Sequence, residues 1–458
     1  MQADNYKYLH FVAFSDLSNW SVQYLLGNVF AYSDKYDLVE IGSFLTRNKT
    51  GIDIEDEVEY KRATIKIDKG GIFLRDIQKG VNIGTKKQYI ISEGQFLLSK
   101  IDARNGAFGV VPKELETGII TSNFWAFDVD YSKIIPHFLS LITTTQKFIH
   151  FSEIASNGTT NRHYLQENLF LSQKIPLPIL SEQQRMLDNY NTTIRQAEKF
   201  EQQAKALEEE IEKYLCEALG IEKQQEEKWG NGKLYFVNFS FIQEWGVERV
   251  LGNNKYLSSK YNIQSFAENS ELSKAIFRGK SPKYLPQSES VIINQKCNRW
   301  NEIDLNHAKT VDTEWLNAID KNQLTKEGDI LVNSTGEGTI GRASIVTEAH
   351  TNLLYDSHIL LLRVNKNLID PDFFTLVFNS FYGQQQVDSL KSAQSTNQTE
   401  LGIENLRKIL IPFPPFSVQK KIAKHIQSMR EQIKNLRQNA DDYKNRAIEE
   451  FEKEIFKQ

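Results

Sequence analysis

Ile175-Pro176-Leu177-Pro178-Ile179-Leu180-Ser181-Glu182-Gln183 opens a long run of helically spaced residues, and Ile411-Pro412-Phe413-Pro414-Pro415-Phe416-Ser417-Val418-Gln419 opens another, 236 positions later. Both stretches have the frame Ile-Pro-x-Pro-x-x-Ser-x-Gln, and this repetition decides how the rest of the chain is read. Working outward, Thr160-Asn161 and Leu165 return as Thr396-Asn397 and Leu401, and Gly94-Gln95-Phe96-Leu97-Leu98-Ser99 returns as Gly328-Asp329-Ile330-Leu331-Val332-Asn333. Near the start, Trp20-Ser21-Val22-Gln23-Tyr24-Leu25-Leu26-Gly27-Asn28 matches Trp245-Gly246-Val247-Glu248-Arg249-Val250-Leu251-Gly252-Asn253 at an offset of 225, and Lys35-Tyr36 matches Lys260-Tyr261. Ordered self-similarity of this kind marks one structural unit written twice, with about eleven extra residues in the second copy. The unit is a mixed globular domain, a proline hinge and a long helix.

The helices follow from spacing. Ser181-x-x-Gln184 has the form of a capping box, and Gly220 supplies a C-terminal stop. Leu187, Tyr190, Ile194 and Ala197, then Ala204, Leu207, Ile211, Tyr214 and Ala218, recur three and four apart, with an offset near Phe200. In the second helix Met429, Ile433, Leu436, Ala440, Tyr443 and Ala447 keep the alternation of a coiled-coil seam. Helices of this length run on the order of 55–60 Å. One narrow apolar stripe on each predicts that they bury it against one another, antiparallel. Equivalent units joined in tandem would then be related by a pseudo-twofold axis, as a rod with a head at each end.

Each head has short β-type runs separated by Gly and Asn turns. In the first these are Ala63–Ile67, Gly71–Leu74, Gln88–Ile91, Phe96–Leu98 and Ile119–Phe127; in the second, Val291–Asn294, Asp329–Val332, Ala343–Val346 and His358–Val364. Helical patches are predicted at Pro136–Ile149 and Pro371–Gln386. The fold class is therefore α+β, two homologous domains with two long antiparallel coiled-coil helices. The expected division is 1–175 for the first domain, 176–220 for its hinge and helix, 221–410 for the second domain, and 411–458 for the last hinge and helix.

The 458 residues are 40% hydrophobic and 25% charged, a globular composition, with a net charge of −4. Nucleic-acid binding would have to come from local cationic patches. Cys216 and Cys297 have no CxxC spacing, so zinc and a disulfide framework are not expected. The first residues lack the order of a secretion signal, and no apolar run is long enough for a bilayer, so the expected location is the cytoplasm, without membrane partners.

Polar chemistry concentrates in loops of both heads. The first offers Lys86, Lys87, Lys100, Arg104 and Asn105, with Thr159, Thr160, Asn161 and Arg162. The second offers Arg278, Lys280, Ser281, Lys283, Tyr284, Asn298, Arg299, Ser334, Thr335, Arg342, Thr396 and Asn397. Guanidinium and amide groups suit base edges, and hydroxyls and cations suit phosphates. Loops that differ between copies on a repeated frame suit a reader of two different half-sites.

Three catalytic motifs fail on their own terms. Gly336-Glu337-Gly338-Thr339-Ile340-Gly341 fits a dinucleotide fingerprint, but a strand-like Ala343-Ser344-Ile345-Val346-Thr347 follows where a helix should start. Gly279-Lys280-Ser281 resembles the end of a phosphate-binding loop, but Lys274 stands in place of its leading glycine. Phe413-Pro414-Pro415-Phe416 resembles the target-amine element of amino-methyltransferases, but Phe413 replaces its acidic or amide residue. No nucleophilic constellation emerges, and His425 reads as helix packing. A catalytic or metal site is not expected.

The two hinges, Gly94–Arg104 with Asn105-Gly106, Gly158-Thr159-Thr160-Asn161-Arg162, and Arg278–Tyr284 followed by Ile293-Asn294-Gln295-Lys296 together resemble the specificity subunit of type I restriction-modification systems. The resemblance covers essentially the whole chain. It implies two target-recognition domains, each reading one half of an asymmetric, interrupted DNA site, and helices that set the gap and dock two methyltransferase subunits. S-adenosylmethionine, Mg and ATP would then belong to partner subunits: the methyltransferases, which flip and methylate adenine, and a translocating endonuclease. Ser395-Thr396-Asn397-Gln398 departs from the Gly158-Thr159-Thr160-Asn161 form. A protein-binding coiled-coil scaffold, or a specificity module of another class of restriction-methylation enzyme, are the competing readings.

Overall fold

A computed structural model describes residues 32–67, 70–157, 164–221, 260–393 and 399–457. By contacts the chain divides into two units, residues 1–201 with 438–458, and residues 202–437. The Trp20–Asn28 and Trp245–Asn253 repeat lies outside the described residues.

The first unit contains, in order, β1 (Leu38–Glu40), β2 (Leu45–Asn48), β3 (Gly51–Asp53), β4 (Glu59–Lys66), β5 (Gly71–Lys79), β6 (Lys87–Ile91), β7 (Phe96–Ser99), β8 (Phe108–Val110), β9 (Gly118–Ile120), β10 (Phe124–Val129), α1 (Pro136–Thr143), α2 (Gln146–Ile154), β11 (Ser156–Asn157), β12 (Tyr164–Leu165), α3 (Glu167–Ser172), β13 (Lys174–Pro176) and the start of α4 (Leu180–Leu219). An antiparallel sheet β2-β10-β7-β8 stands beside a five-stranded sheet β3-β6-β9-β4-β5. Alternation along β7 and β10 turns Phe96 and Phe127 onto Phe108, Phe148 and Phe170, all five buried. Phe108 meets Phe148 edge-on at 5.8 Å and Phe127 lies 5.7 Å from Phe170, geometries that aromatic quadrupoles favour.

The second unit contains β14 (Ile263–Gln264), β15 (Ser273–Arg278), β16 (Val291–Ile293), β17 (Lys309–Thr310), α5 (Thr313–Asn317), β18 (Ile330–Asn333), β19 (Ala343–Ile345), β20 (Leu354–Tyr355), β21 (Ile359–Val364), α6 (Pro371–Asn379), α7 (Phe381–Leu390), β22 (Ser392–Ala393), β23 (Thr399–Glu400), α8 (Ile403–Arg407), β24 (Ile411–Pro412) and α9 (Phe416–Ile455), which ends in the first unit. Its sheet β15-β21-β18-β19 repeats β2-β10-β7-β8 strand for strand, and the pairs β14–β24 and β22–β23 repeat β1–β13 and β11–β12. The second sheet is where the copies part, since only β17-β16-β20 stands where the first unit has five strands. The duplicated α+β fold expected from the sequence is the fold observed.

Several local expectations need correction. Ile119–Phe127 is two strands in different sheets, β9 and β10, because Phe124 N–H closes a turn on Thr121 O at 3.0 Å. Each helical patch is two helices. The first breaks at Thr145, whose hydroxyl accepts from Phe148 N and so starts α2, and the second breaks at Ser380. Ser181 is not a cap: α4 begins at Leu180, with Glu182 and Gln183 N–H groups bonded to Ile179 O.

The repeated glutamine of the hinge has its own task. Gln183 is fully buried; its Oε1 accepts from Ile135 N at 2.8 Å, and its Nε2 donates to Lys133 O and Pro178 O at 2.9 and 2.8 Å. In the other unit Gln419 accepts from Asp370 N at 2.9 Å and donates to Leu368 O and Pro414 O. One side chain thus ties the first turn of each long helix to the segment entering α1 or α6.

The long helices meet as the seam spacing predicts. In the first unit Phe200 lies 5.5 Å from Tyr443, Lys444 pairs with Glu201, and Arg185 pairs with Glu454. In the second, Tyr214 lies 4.4 Å from His425 and Arg437 pairs with Glu208. Early residues of α4 meet late residues of α9, so the segments run antiparallel. Met429, Ile433, Ala440 and Ala447 are buried. Gly220, at φ +65°, ends α4 in a left-handed turn closed by Ile221 N–H on Cys216 O and Gly220 N–H on Glu217 O.

Candidate nucleic-acid interface

In both units a loop and a short hairpin are held together by one repeated backbone bond. Between β7 and β8, Ser99 Oγ accepts from Asp102 N at 3.2 Å and donates to Asp102 Oδ2, and Ala103–Asn105 forms a single 3-10 turn. Gly106 ends that turn at φ +75°, a left-handed conformation suited to glycine. Lys100 O then accepts from Leu165 N of β12 at 2.8 Å. In the second unit Ser334 O, in the β18–β19 loop, accepts from Leu401 N just after β23, also at 2.8 Å. The loop carrying Lys100, Arg104 and Asn105 therefore adjoins the base of the β11–β12 hairpin, and the loop 334–342 adjoins the base of β22–β23. Thr159, Thr160, Asn161, Arg162, Thr396 and Asn397 lie outside the described residues.

The first unit presents Asn105 to solvent, with Arg104 half-buried beside it. Lys100 Nζ sits 5.4 Å from the Tyr164 ring, a cation–π contact. Lys86 and Lys87 belong to the five-stranded sheet instead. Lys86 Nζ reaches Asp56 at 2.5 Å and Gly80 O at 2.7 Å, and Lys87 is exposed in register with Asp53.

In the second unit Arg278 closes β15, with Nη1 2.6 Å from Glu400 and Nε donating to Ser357 O. Gly279 follows because a Cβ there would collide with Asp356 O. The Lys280 backbone forms an isolated parallel β-bridge with Asp356, its N–H donating to Tyr355 O at 3.2 Å, and Ser281 is exposed. Lys283 pairs with Asp312 at 2.5 Å and, as a hydrogen-bonded cation, holds that carboxyl below the usual range. Lys309 Nζ lies 4.8 Å from the exposed Tyr284 ring. Thr335 bonds His358 Nδ1 at 2.7 Å. Arg342 donates to Gly338 O and lies 6.0 Å from the Trp300 ring.

Asn298 and Ser334 are in the interior. Asn298 Nδ2 serves Leu331 O, Asn333 Oδ1 and Arg342 O, and its Oδ1 accepts from Ser344; Ser334 donates to Leu401 O. With their polar atoms committed, they shape the loop. Arg299, by contrast, is half-buried and Trp300 exposed. Nothing in the sequence marks His358, which opens a β-type run, or Glu400, which follows the 396–397 segment. Their signal is tertiary: β21 and β23 bring them to Thr335 and Arg278. The glycine-rich loop 336–341 leads into strand β19 with no helix, as the declined dinucleotide motif requires. Among the described residues no group of three or more His, Cys, Asp or Glu could hold a metal, and no helix is long and apolar enough to cross a membrane.

The family model described as type I restriction modification DNA specificity domain matches residues 33–209 and 301–441. The chain belongs to that family. A putative type I restriction enzyme MjaX specificity subunit of Methanocaldococcus jannaschii is 34% identical over 98 residues, 21% of this chain; the match spans 23% of that relative's length. A chain from a structural study of complex assembly and conformational transition of the type I R-M system is 14% identical, with TM-score 0.55 over 92% of this chain and 97% of that one. The HsdS subunit from Thermoanaerobacter tengcongensis is also 14% identical, with TM-score 0.40 over 92% of this chain and 96% of that one. Both hinges fall within the specificity-domain matches, as does the β18–β19 loop.

Proposed function

We propose that this chain is a non-catalytic subunit that recognises a bipartite DNA sequence for a type I restriction-modification complex in the cytoplasm. The target-recognition domains are residues 1–175 and 221–410, and the hinge-and-helix segments are 176–220 and 411–458. The reading rests above all on the repeated constellation, a β-loop tied to a hairpin on the same four-stranded sheet in each unit, bearing different polar side chains in each copy. A shared frame with divergent loops is what reading two unlike half-sites requires.

In this reading Lys100, Arg104, Asn105 and the 159–162 segment read one half-site, with Lys86 and Lys87 on phosphates. Arg278, Lys280, Ser281, Lys283, Tyr284, Arg299, Thr335, Arg342 and the 396–397 segment read the other, while Asn298 and Ser334 shape their loop. The paired helices set the gap and dock two methyltransferase subunits, which carry S-adenosylmethionine and methylate adenine. A restriction subunit using ATP and Mg would join the same assembly.

The test is methylation mapping of DNA from cells carrying this chain with its methyltransferase, alongside gel shifts on matched and random duplexes. Two short conserved blocks at a fixed separation are expected. Complexes without sequence dependence would leave the protein-binding scaffold reading instead. Arg104→Ala should relax one half-site by about 1–3 kcal/mol if the guanidinium reads a base. Unchanged discrimination would remove Arg104 from the site.

A further inference from the structure

Strand pairing identifies which segments correspond in the sheets where the two units differ. β4 lies between β5, antiparallel, and β9, parallel at Arg62–Ile119. β16 lies between β17, antiparallel, and β20, parallel at Ile292–Leu354. The β4–β5 hairpin and the β16–β17 connection are therefore one element built two ways. In the second unit it is two short strands joined by a long loop holding Arg299 and Trp300. In the first it is a long two-stranded ribbon, none of whose residues is among the loop residues assigned to DNA above.

β5 is unusual for an edge strand in exposing apolar side chains on both faces: its bulge reverses the alternation, so Phe73, opposite Thr64, and Ile77, opposite Lys61, point to opposite faces. Along β5 the exposed positions are Phe73, Arg75, Ile77 and Lys79, with Phe73 40% and Ile77 54% exposed. Bare apolar side chains on an edge strand invite unwanted pairing unless they have a partner. Arg75 lies at a bulge, between the pairs Ala63–Leu74 and Arg62–Asp76, and its side chain is 62% exposed; bulges re-aim side chains out of the ladder. Arg62 holds Asp76 with two hydrogen bonds of 2.6 Å, and Arg75 Nε lies 3.8 Å from the same carboxylate, so one acid is shared between two guanidinium groups. From Glu57 to Val81 there are six Lys and Arg against four Asp and Glu, in a chain whose net charge is −4.

We infer that the β4–β5 ribbon enters a groove of duplex DNA and is a specificity-determining element of the first unit, with Arg75 addressing base edges and Phe73 and Ile77 packing on base and sugar surfaces. This rests on the DNA-recognition reading above. A two-stranded ribbon fits the major groove, where arginine pairs with guanine edges and apolar groups meet thymine methyls. Lys61 and Lys79 stand on the flanks to meet phosphates.

The test uses the full chain with its methyltransferase and a pool of randomised duplexes, selected by methylation. Wild type should return two conserved blocks. Arg75→Ala, and separately Phe73→Ser with Ile77→Ser, should erase positions within one block and weaken discrimination there on the order of tenfold, leaving the other block intact. Tyr131→Ser, exposed elsewhere on the unit, should leave both blocks intact. Thermal melting checks each fold, and the exposed Arg75→Ala keeps the readout should the double variant melt early. Ribbon variants that keep both blocks overturn the inference, as does loss of methyltransferase association with unchanged DNA selection. A wild-type complex without sequence preference fails the DNA reading itself.

Discussion

Asp329 precedes β18 with its side chain almost fully buried, and Arg363 of β21 meets it with two hydrogen bonds of 2.7 and 2.6 Å. The same place in the first unit is filled by Gln95, which donates to Asp128 at 2.6 Å, and each residue also accepts from a backbone N–H of the preceding turn. The copies conserve a linkage while changing its chemistry, so sequence matching alone cannot see it. Arg363→Met strands a buried carboxylate and should cost about 3–5 kcal/mol in urea unfolding. Adding Asp329→Gln should recover part of that; no recovery would mean that the lost Arg363 bonds to Asn322 O and Leu324 O dominate. Nearby in the second unit, burial raises the carboxyl pKa values of Glu212 and Asp372 and brings the Arg430 guanidinium down to about 10, although the two carboxylates oppose that fall. A carboxyl with a raised folded-state pKa favours folding below its unfolded value, and this contribution fades as pH rises through the folded value. Glu212→Gln should therefore flatten the fall in stability as pH rises from about 4 toward neutrality, read from urea midpoints. An unchanged slope would place the linkage elsewhere.

At the scale of elements, the hinge glutamines set how each long helix leaves its domain. Gln183→Ala leaves one buried donor and two acceptors unserved, and Gln419→Ala does the same in the other unit. Each should cost about 1–3 kcal/mol by chemical denaturation, and because the sites share no partners the costs should add. If either variant lost less than a few tenths, the clasp would be ornamental. The hinge motif was plain in the sequence, but its glutamine read only as part of a pattern, since two of its three partners lie 48 to 51 residues upstream. Strand ends were harder still. Thr121–Asn123 turns the chain between sheets within an otherwise continuous β-type run, and Ser273–Arg278 is not among the β-type runs of the second head because pairing with β21 is what makes it a strand.

For the whole molecule, the proposed ruler makes the sharpest demand. Removing one heptad from α9, Gln432–Gln438, together with the facing seven residues of α4, Leu207–Lys213, keeps the seam in phase. Methylation mapping should then show the same two blocks with a shortened gap, or no binding. An unchanged gap would separate the helices from spacing. The deletion of Gln432–Gln438 alone should remove Arg437 from its pair with Glu208, put the rest of the seam out of register and abolish binding or change the gap.

Repetition, period and punctuation lie along the chain, and those features alone determined the duplication, the antiparallel seam, the glycine stop at Gly220 and the α+β class. Tertiary structure decided what depends on residues far apart in the chain: that Asn298 and Ser334 spend their polar atoms inside, that Arg278 meets Glu400, and that the β4–β5 ribbon answers to the β16–β17 loop. The physical reason is range. Helical period and turn chemistry act over a few residues, whereas burial and hydrogen-bond partnership are settled only when distant strands pair.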